Sequence, residues 1–404
     1  MSRSQDVAAV GLNESMRILL VHNFYQHPGG EDAVYTTEGE LLEARGHTVI
    51  RYSLDNRRID QMRSTSLAAA TLWNRKSVRE LAKLVANEKP DIAHFHNTFP
   101  LVSPAGYHAV RAARVPVVQT LHNYRLLCAN ALLFRSGRTC QDCVGKRLRW
   151  PGVLHACYRD SRIASAGVVA MQTVHGVIGT WTRKVDAYIA LTKFARDQFV
   201  TGGLPAERIH IKPNFLPDPG PGDGVGGYAL FVGRLSKEKG LGTLIDAWAT
   251  LPEKWSLRVI GDGPLANRAR EAQATIPGFE WLGRLSPGEV LDAVGKAAFV
   301  IMPSECFEGL PRVAIESFAK GTPLVASDIG SLAELVEHGR NGLLFRSGDA
   351  GALAERASQL FEDPESLAGM RRCARAEYEA RYMADANHSM LMQIYQQARL
   401  RSGF

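Results

Sequence analysis

No stretch of this chain reads as a signal peptide, because the opening "MSRSQDVAAVGLNES" is polar and has no apolar core. Cysteine is scarce: six in 404 residues, without an export signal, argue for reduced thiols or a metal rather than a disulfide scaffold. Long apolar runs are scarce too. The longest uncharged run, Ile163 to Thr182, has membrane-spanning length, but Ser165, Gln172, Thr173 and His175 punctuate it, which favours a buried helix of a soluble protein. There is no helix-turn-helix, zinc-finger or aromatic-basic RNA motif, so nucleic acid is not expected as a partner. No Asp-x-Asp sits at a strand end to suggest a catalytic divalent cation.

What is present points to a soluble protein of more than one domain. A length of 404 residues exceeds one ordinary core, and 45% hydrophobic with 22% charged residues excludes a disordered chain. Charge is divided unevenly: residues 1–215 hold 28 Lys+Arg against 17 Asp+Glu, while the remainder is net acidic. A basic first half suits an anionic partner, such as a phosphorylated substrate or an acidic membrane surface.

The first strand begins at "MRILLVHN", so Met16 is an alternative start and residues 1–15 read as a flexible extension. From there apolar strands alternate with helical stretches, as in a parallel, doubly wound sheet whose ligands gather at the carboxyl ends of its strands. Residues 213–227, "PNFLPDPGPGDGVGG", hold four Pro and five Gly and read as a linker. The strand–helix rhythm then restarts. The division expected is a first α/β domain over 16–215, with a cysteine-containing insertion at 128–157, and a second over 216–375. A helical tail, 376–404, is long enough to cross back to the first domain.

The motifs cluster where strands end. Gly29-Gly30 follows the first strand and precedes a helix, where a backbone without Cβ atoms can approach an anion. Arg234 and Lys239 lie just past the first strand of the second domain; Arg grips phosphate with a planar fork and Lys acts as a point charge. Glu308 and Glu316 flank Gly309-Leu310-Pro311, a sequence suited to starting a helix whose N–H groups face a phosphate. Beside a diphosphate, both carboxylates would point instead at hydroxyls. His122 ends the strand "VPVVQTLHN", and His94 and His96 end its neighbour.

In order along the second half stand "FVGRLSKEKG", "VIGDGP", "WLGRLS", Glu308-x7-Glu316 and "VEHGRNGLLF"; the first half adds "HPGGED", "PDIAHFHN" and "TLHN". With these the chain resembles the large bacterial family of retaining glycosyltransferases with the Glu-x7-Glu motif, family 4, group 1. The resemblance covers nearly everything after residue 15. It implies a GT-B fold: two doubly wound Rossmann-like domains facing across a cleft, with a C-terminal helix crossing back. It also implies sugar transfer from a nucleoside-diphosphate sugar to a glycan or lipid-linked acceptor. Such an enzyme is expected in the cytoplasm, peripherally at the inner face of the membrane, and without a catalytic metal.

On this resemblance Arg234 and Lys239 neutralise the leaving diphosphate, Glu308 binds hydroxyls of the transferred sugar, and Glu316 binds the ribose. His122 lies near the sugar. Gly29, Gly30, Gly263, Gly283, Gly309 and Leu310 line the donor site through their backbone, and His94 and His96 are weaker candidates on the acceptor side. The family more usually has Gly-Phe-Gly-Leu where this chain has Gly-Leu-Pro-Arg, and Pro311 has no N–H to offer a diphosphate. Three rivals remain at this point: a sugar-nucleotide epimerase on the same fold, a phosphorylase needing a pyridoxal phosphate lysine, and an anion- or nucleic-acid-binding protein using the basic half.

Cys128, Cys140, Cys143 and Cys157 form a second constellation, C-x11-C-x2-C-x13-C, in a basic insertion. A single CxxC leaves two readings open, a structural four-thiolate zinc and a set of free thiols. Cys306 and Cys373 read as isolated packing thiols.

Overall fold

The structure is a computed structural model, and it describes residues 15–26 and 29–403. The expected N-terminal extension, 1–15, therefore lies outside the described residues except for Ser15, whose hydroxyl donates to the Gly46 carbonyl at 2.7 Å. His27 and Pro28 of the "HPGGED" motif lie outside them as well.

The first half builds one sheet. Its strands are β1 (Arg17–Phe24), β2 (Thr48–Asp55), β3 (Ile92–Phe95) and β4 (Val117–Leu121). A small hairpin follows, β5 (Phe134–Arg135) with β6 (Arg138–Thr139), then β7 (Ala187–Ala190) and β8 (Ile209–Ile211). The order is β2-β1-β3-β4-β7-β8, and β1 pairs in parallel with β2 and β3, setting Leu20 beside His94. Every residue of β3, β4 and β7 is buried, the signature of a parallel strand covered by helices on both faces.

The second half repeats the plan with β9 (Tyr228–Val232), β10 (Ser256–Ile260), β11 (Phe279–Gly283), β12 (Phe299–Met302), β13 (Leu324–Ser327) and β14 (Gly342–Phe345). Their order is β11-β10-β9-β12-β13-β14, with parallel pairing throughout. The strand order reverses direction at β9 and β12, and there a doubly wound sheet opens on its ligand. Phe231, Leu244, Trp248, Leu257 and Phe299 fill one face, and Leu230, Val300, Ile315 and Phe318 the other.

Contacts divide the chain into two compact units. One takes in the residues up to Thr120, Ile178–Ile189 and those from Asp385 on; the other takes in Leu121–Val177 and Ala190–Ala384. The tail forms two helices, Pro364–Arg381 and Ala384–Ser402, and breaks at Tyr382 and Met383. Leu391, Ile394, Tyr395 and Ala398 of the last helix join Ile18, Leu20, Ile92 and Val118 in the core of the first sheet. The C-terminal helix thus returns to the first domain.

Two readings of the sequence need correction, and one helix is added to those the sequence shows. The segment 213–227 has no regular structure, but it is no loose tether: Gly222, Gly224 and Gly226 donate backbone hydrogen bonds to Lys320, Gly295 and Lys296, each at 2.9 Å. Asp218 also pairs with Arg375 at 2.7 Å, so the segment is strapped to the second unit. The stretch between β10 and β11 is a crossover helix, Ala266–Thr275, as parallel neighbours require. The uncharged run is not one buried helix; helix Arg162–Val177 is followed by a second, Thr180–Arg183, and much of the first is exposed.

Candidate functional site

The loop between β12 and helix Arg312–Ala319 holds the central group. One carboxylate oxygen of Glu308 accepts from the Lys239 ammonium at 2.6 Å and from the Ser304 hydroxyl at 2.6 Å. The Glu308 side chain is 11% exposed and that of Lys239 29%, so the pair is sheltered but open to a ligand. Burial opposes the charge on Lys239, yet the Glu308 carboxylate more than offsets it and raises the ammonium above its ordinary pKa. Lys239 is therefore cationic at neutral pH.

Lys239 reaches this place because the turn Lys237–Lys239 follows β9 and leads into helix Leu241–Trp248. From the other side, the buried Tyr124 hydroxyl donates to the Glu308 carbonyl at 3.2 Å. Gly309 is required by close approach: a Cβ there would stand 2.7 Å from the His122 carbonyl oxygen. The loop thus brings Lys239 and Glu308 together and sets Gly309 against the His122 backbone, with Ser304 and Tyr124 as members that the sequence does not single out. Ser304 had a legible signal, a hydroxyl one helical turn before Glu308 in the same loop.

The next loops close around the same strand ends. Gly263 also has no room for a side chain, since a Cβ would meet the Leu235 carbonyl oxygen at 2.5 Å. This packs the "GDGP" loop onto the segment carrying Arg234. Arg234 itself is exposed. Gly283 ends β11 with φ +69°, and its carbonyl accepts from Gly261 N–H at 2.7 Å.

Helix Arg312–Ala319 begins one residue later than a Gly-Leu-Pro start implies. Pro311 is its N-cap, and the Leu310 side chain is buried, so Gly309 and Leu310 lie in the approach to the helix rather than in its first turn. Glu316 sits on this helix beside Arg312, 3.2 Å away. Burial is the larger influence on Glu316, and it raises the carboxyl pKa despite the Arg312 charge. Cys306 is buried, which pushes its thiol pKa up and keeps it protonated.

In the other unit, Gly29 caps helix Gly30–Ala44 and both glycines are exposed. The Gly29 N–H donates to Asp32 at 2.9 Å, and Glu31 and Asp32 occupy the first turn. The positive end of this helix thus has the chain's own carboxylates beside it. His94 and His96 are sealed from solvent, which removes them from direct contact with an acceptor in this structure. Glu38 Oε1 lies 3.1 Å from His94 Nδ1 and 3.2 Å from His96 Nε2. The Tyr395 hydroxyl and Thr120 hydroxyl meet the two ring nitrogens of His94 at 2.8 and 2.7 Å. Burial, followed by the neighbouring His94, holds His96 far below its ordinary pKa, at about 3.

The four insertion cysteines line one small cavity, with Arg135, Asp142 and Pro151 among its other walls. All four are free thiols. Burial, then the neighbouring Cys128, pushes Cys143 up to about 11. Among the described residues, no three cysteine sulfurs lie within 4.8 Å of one another. A tetrahedral thiolate shell needs its sulfurs roughly 3.8 Å apart, given a metal–sulfur bond of about 2.3 Å. As arranged, these residues do not present one.

Two parallel-sheet Rossmann-like domains with the last helix returned to the first define the GT-B class. HepE of Anabaena, solved in complex with UDP, superposes over 94% of this chain and 99% of its own at a TM-score of 0.65 and 20% identity. Residues 28–218 match the profile of Glycosyltransferase Family 4, and residues 226–363 match that of Glycosyl transferases group 1. The chain thus carries a domain of the Glycosyltransferase Family 4 type followed by one of the Glycosyl transferases group 1 type. An exopolysaccharide phosphotransferase of Streptomyces coelicolor is 32% identical over 191 residues, which are 45% of this chain and 20% of that one. Glycogen synthase of Mycobacterium tuberculosis is 25% identical over 374 residues, 86% of this chain and 77% of its own. The chain thus spans only a fifth of the first relative and about three quarters of the second.

Proposed function

We propose that the protein is a retaining glycosyltransferase that moves a sugar from a nucleoside-diphosphate sugar to a glycan or lipid-linked acceptor. The observation that carries this reading is the Lys239–Glu308 pair at the strand ends of the second sheet, a fixed cation beside a carboxylate that remains open to a ligand. The match to glycosyltransferase profiles and the UDP bound to the similar HepE support it.

In this reading Lys239 and Arg234 face the diphosphate, and their charge stabilises the negative charge that grows as the anomeric carbon–oxygen bond breaks. Glu308 orients the hydroxyls of the transferred sugar, and Glu316 those of the ribose. Gly263, Gly283, Gly309 and Leu310 offer backbone near the donor, with His122 beside the sugar. The acceptor oxygen attacks the face that the diphosphate leaves, and its proton passes to the departing phosphate oxygen. With side-chain cations in that role, the reaction proceeds without a catalytic divalent ion. The protein's work is then electrostatic stabilisation and positioning.

Thermal shift with UDP, GDP, ADP and their sugars is the direct test, because a ligand at 100 times its Kd adds about 2.7 kcal/mol of apparent stability. One base is expected to stand out, with Glu316→Ala weakening its binding about tenfold by calorimetry. No shift with any nucleotide would sink the reading.

A further inference from the structure

Helix Arg162–Val177 carries apolar residues on both of its sides. Its buried side holds Val168, Val169 and Met171 together with Ser165, Gln172 and His175. Ser165 Oγ accepts from the Tyr158 N–H at 2.9 Å, and the Gln172 amide donates to the Arg125 carbonyl at 2.5 Å. Its exposed side carries Ile163, Ala166, Ala170, Val174 and Val177. The steps of three and four residues place these five in a single stripe. Ile163 is 88% and Val177 77% exposed.

The stripe has a neighbour of the same character. The short helix Trp150–Leu154 packs against this one, and Leu148, Trp150 and Leu154 are each at least half exposed. Around them stand exposed cations: Lys146, Arg147, Arg159 and Arg162. Lys146 Nζ lies 5.4 Å from the centre of the Trp150 ring. From 144 to 177 the only acidic residue is Asp160.

We propose that this face docks on an anionic lipid surface, with the apolar stripe and Trp150 entering the headgroup boundary and the cations meeting lipid phosphates. Apolar residues rimmed by Lys and Arg, with a Trp at the edge, match the physics of a helix lying in an interface. Among the described residues no helix is long and apolar enough to cross a membrane, so the mode is docking rather than spanning. Charge decides against a second copy as the occupant, because pairing this face with itself sets its cations against one another. The proposal extends the reading of a lipid-linked acceptor, but its test reads lipid partition and needs no transfer to occur.

The test is flotation of the full chain with vesicles of phosphatidylcholine alone and with added phosphatidylglycerol, at low and high salt. Binding is expected to the anionic vesicles and to weaken as salt rises. Trp150→Ala with Ile163→Asp should lower partition at least tenfold, and Arg147→Gln with Arg162→Gln about fivefold for each charge removed. Thermal melts of both variants should match the parent, since all four side chains are exposed. Absence of binding to anionic vesicles at low salt would overturn the proposal, as would partition unmoved by the two double variants. A dimer in solution that Trp150→Ala with Ile163→Asp splits, without any flotation, would assign the face to a second copy instead. If flotation behaves as expected but no nucleotide binds, the docking face stands and the transferase reading falls.

Discussion

At the first sheet, Glu38, His94 and His96 are packed out of reach of solvent, and His94 is bonded to Tyr395 of the last helix. At the second, Lys239 and Glu308 make a contact as short as any of these but keep part of their surface in water. Both clusters stand on parallel sheets of the same plan, and both use charged or titratable side chains. Burial separates them. A polar cluster sealed in the core contributes its hydrogen bonds to holding elements together, whereas one left open keeps them to exchange with a ligand.

The largest expected effect breaks the sealed cluster. Glu38→Ala removes the oxygen shared by two buried imidazoles and leaves a void, which should cost about 3 kcal/mol of stability by denaturant unfolding. Turnover per folded molecule should be little changed. A variant that unfolds like the parent but loses activity would reverse the roles assigned to the two clusters.

Lys239→Ala and Glu308→Gln test the open cluster from the other side. Each should lower kcat/KM on the order of 100-fold, the usual consequence of deleting one preorganised charge. Melting should stay near the parent value, because neither side chain is fully buried. Near-normal turnover in both variants would remove them from the site.

The pH dependence sharpens the same contrast. His96, with its folded pKa held near 3 against an ordinary 6.5, stays neutral while the unfolded chain takes up a proton. Its contribution is fully present above pH 6.5 and is lost as pH falls toward 3, by at most about 1.4 kcal/mol per pH unit. His96→Gln should flatten that slope between pH 6 and 4 in urea unfolding series. An unchanged slope would mean that the buried imidazole takes up its proton without unfolding.

Much of this was readable before the structure, for physical reasons that differ by element. The alternation of buried runs with helical stretches gives both sheets, because a parallel strand covered on both faces is apolar along its whole length. Helix Ala266–Thr275 leaves little trace in the sequence because its buried face is only Ala269 and Ala272, too little apolar pattern to register. The place of His122, Lys239 and Glu308 followed from strand ends, while the roles of Tyr124 and Ser304 depend on contacts that only the fold creates. The burial of His94 and His96 was illegible for a related reason. A histidine at a strand end looks the same in sequence whether or not a distant helix, here the last one, closes over it.

The smallest expected effect has the opposite sign to that of His96. Burial raises the carboxyl pKa of Glu316 above its ordinary 4.5, so the folded chain holds a proton that the unfolded chain has already released. The resulting penalty is absent below about pH 4.5 and grows as pH rises through the interval up to the folded pKa, then stays constant. Glu316→Gln removes the ionisation while keeping the shape, so it should gain a few tenths of a kcal/mol of stability at pH 7 and nothing at pH 4, measured by thermal unfolding at both. The Arg312 pair limits the gain, since exchanging the carboxylate for an amide also weakens the 3.2 Å contact. A loss of stability at pH 7 would mean that the Arg312 attraction outweighs desolvation. In that case Glu316 would be ionised because the helix holds it so, and no ligand would be needed to explain a carboxylate at this position.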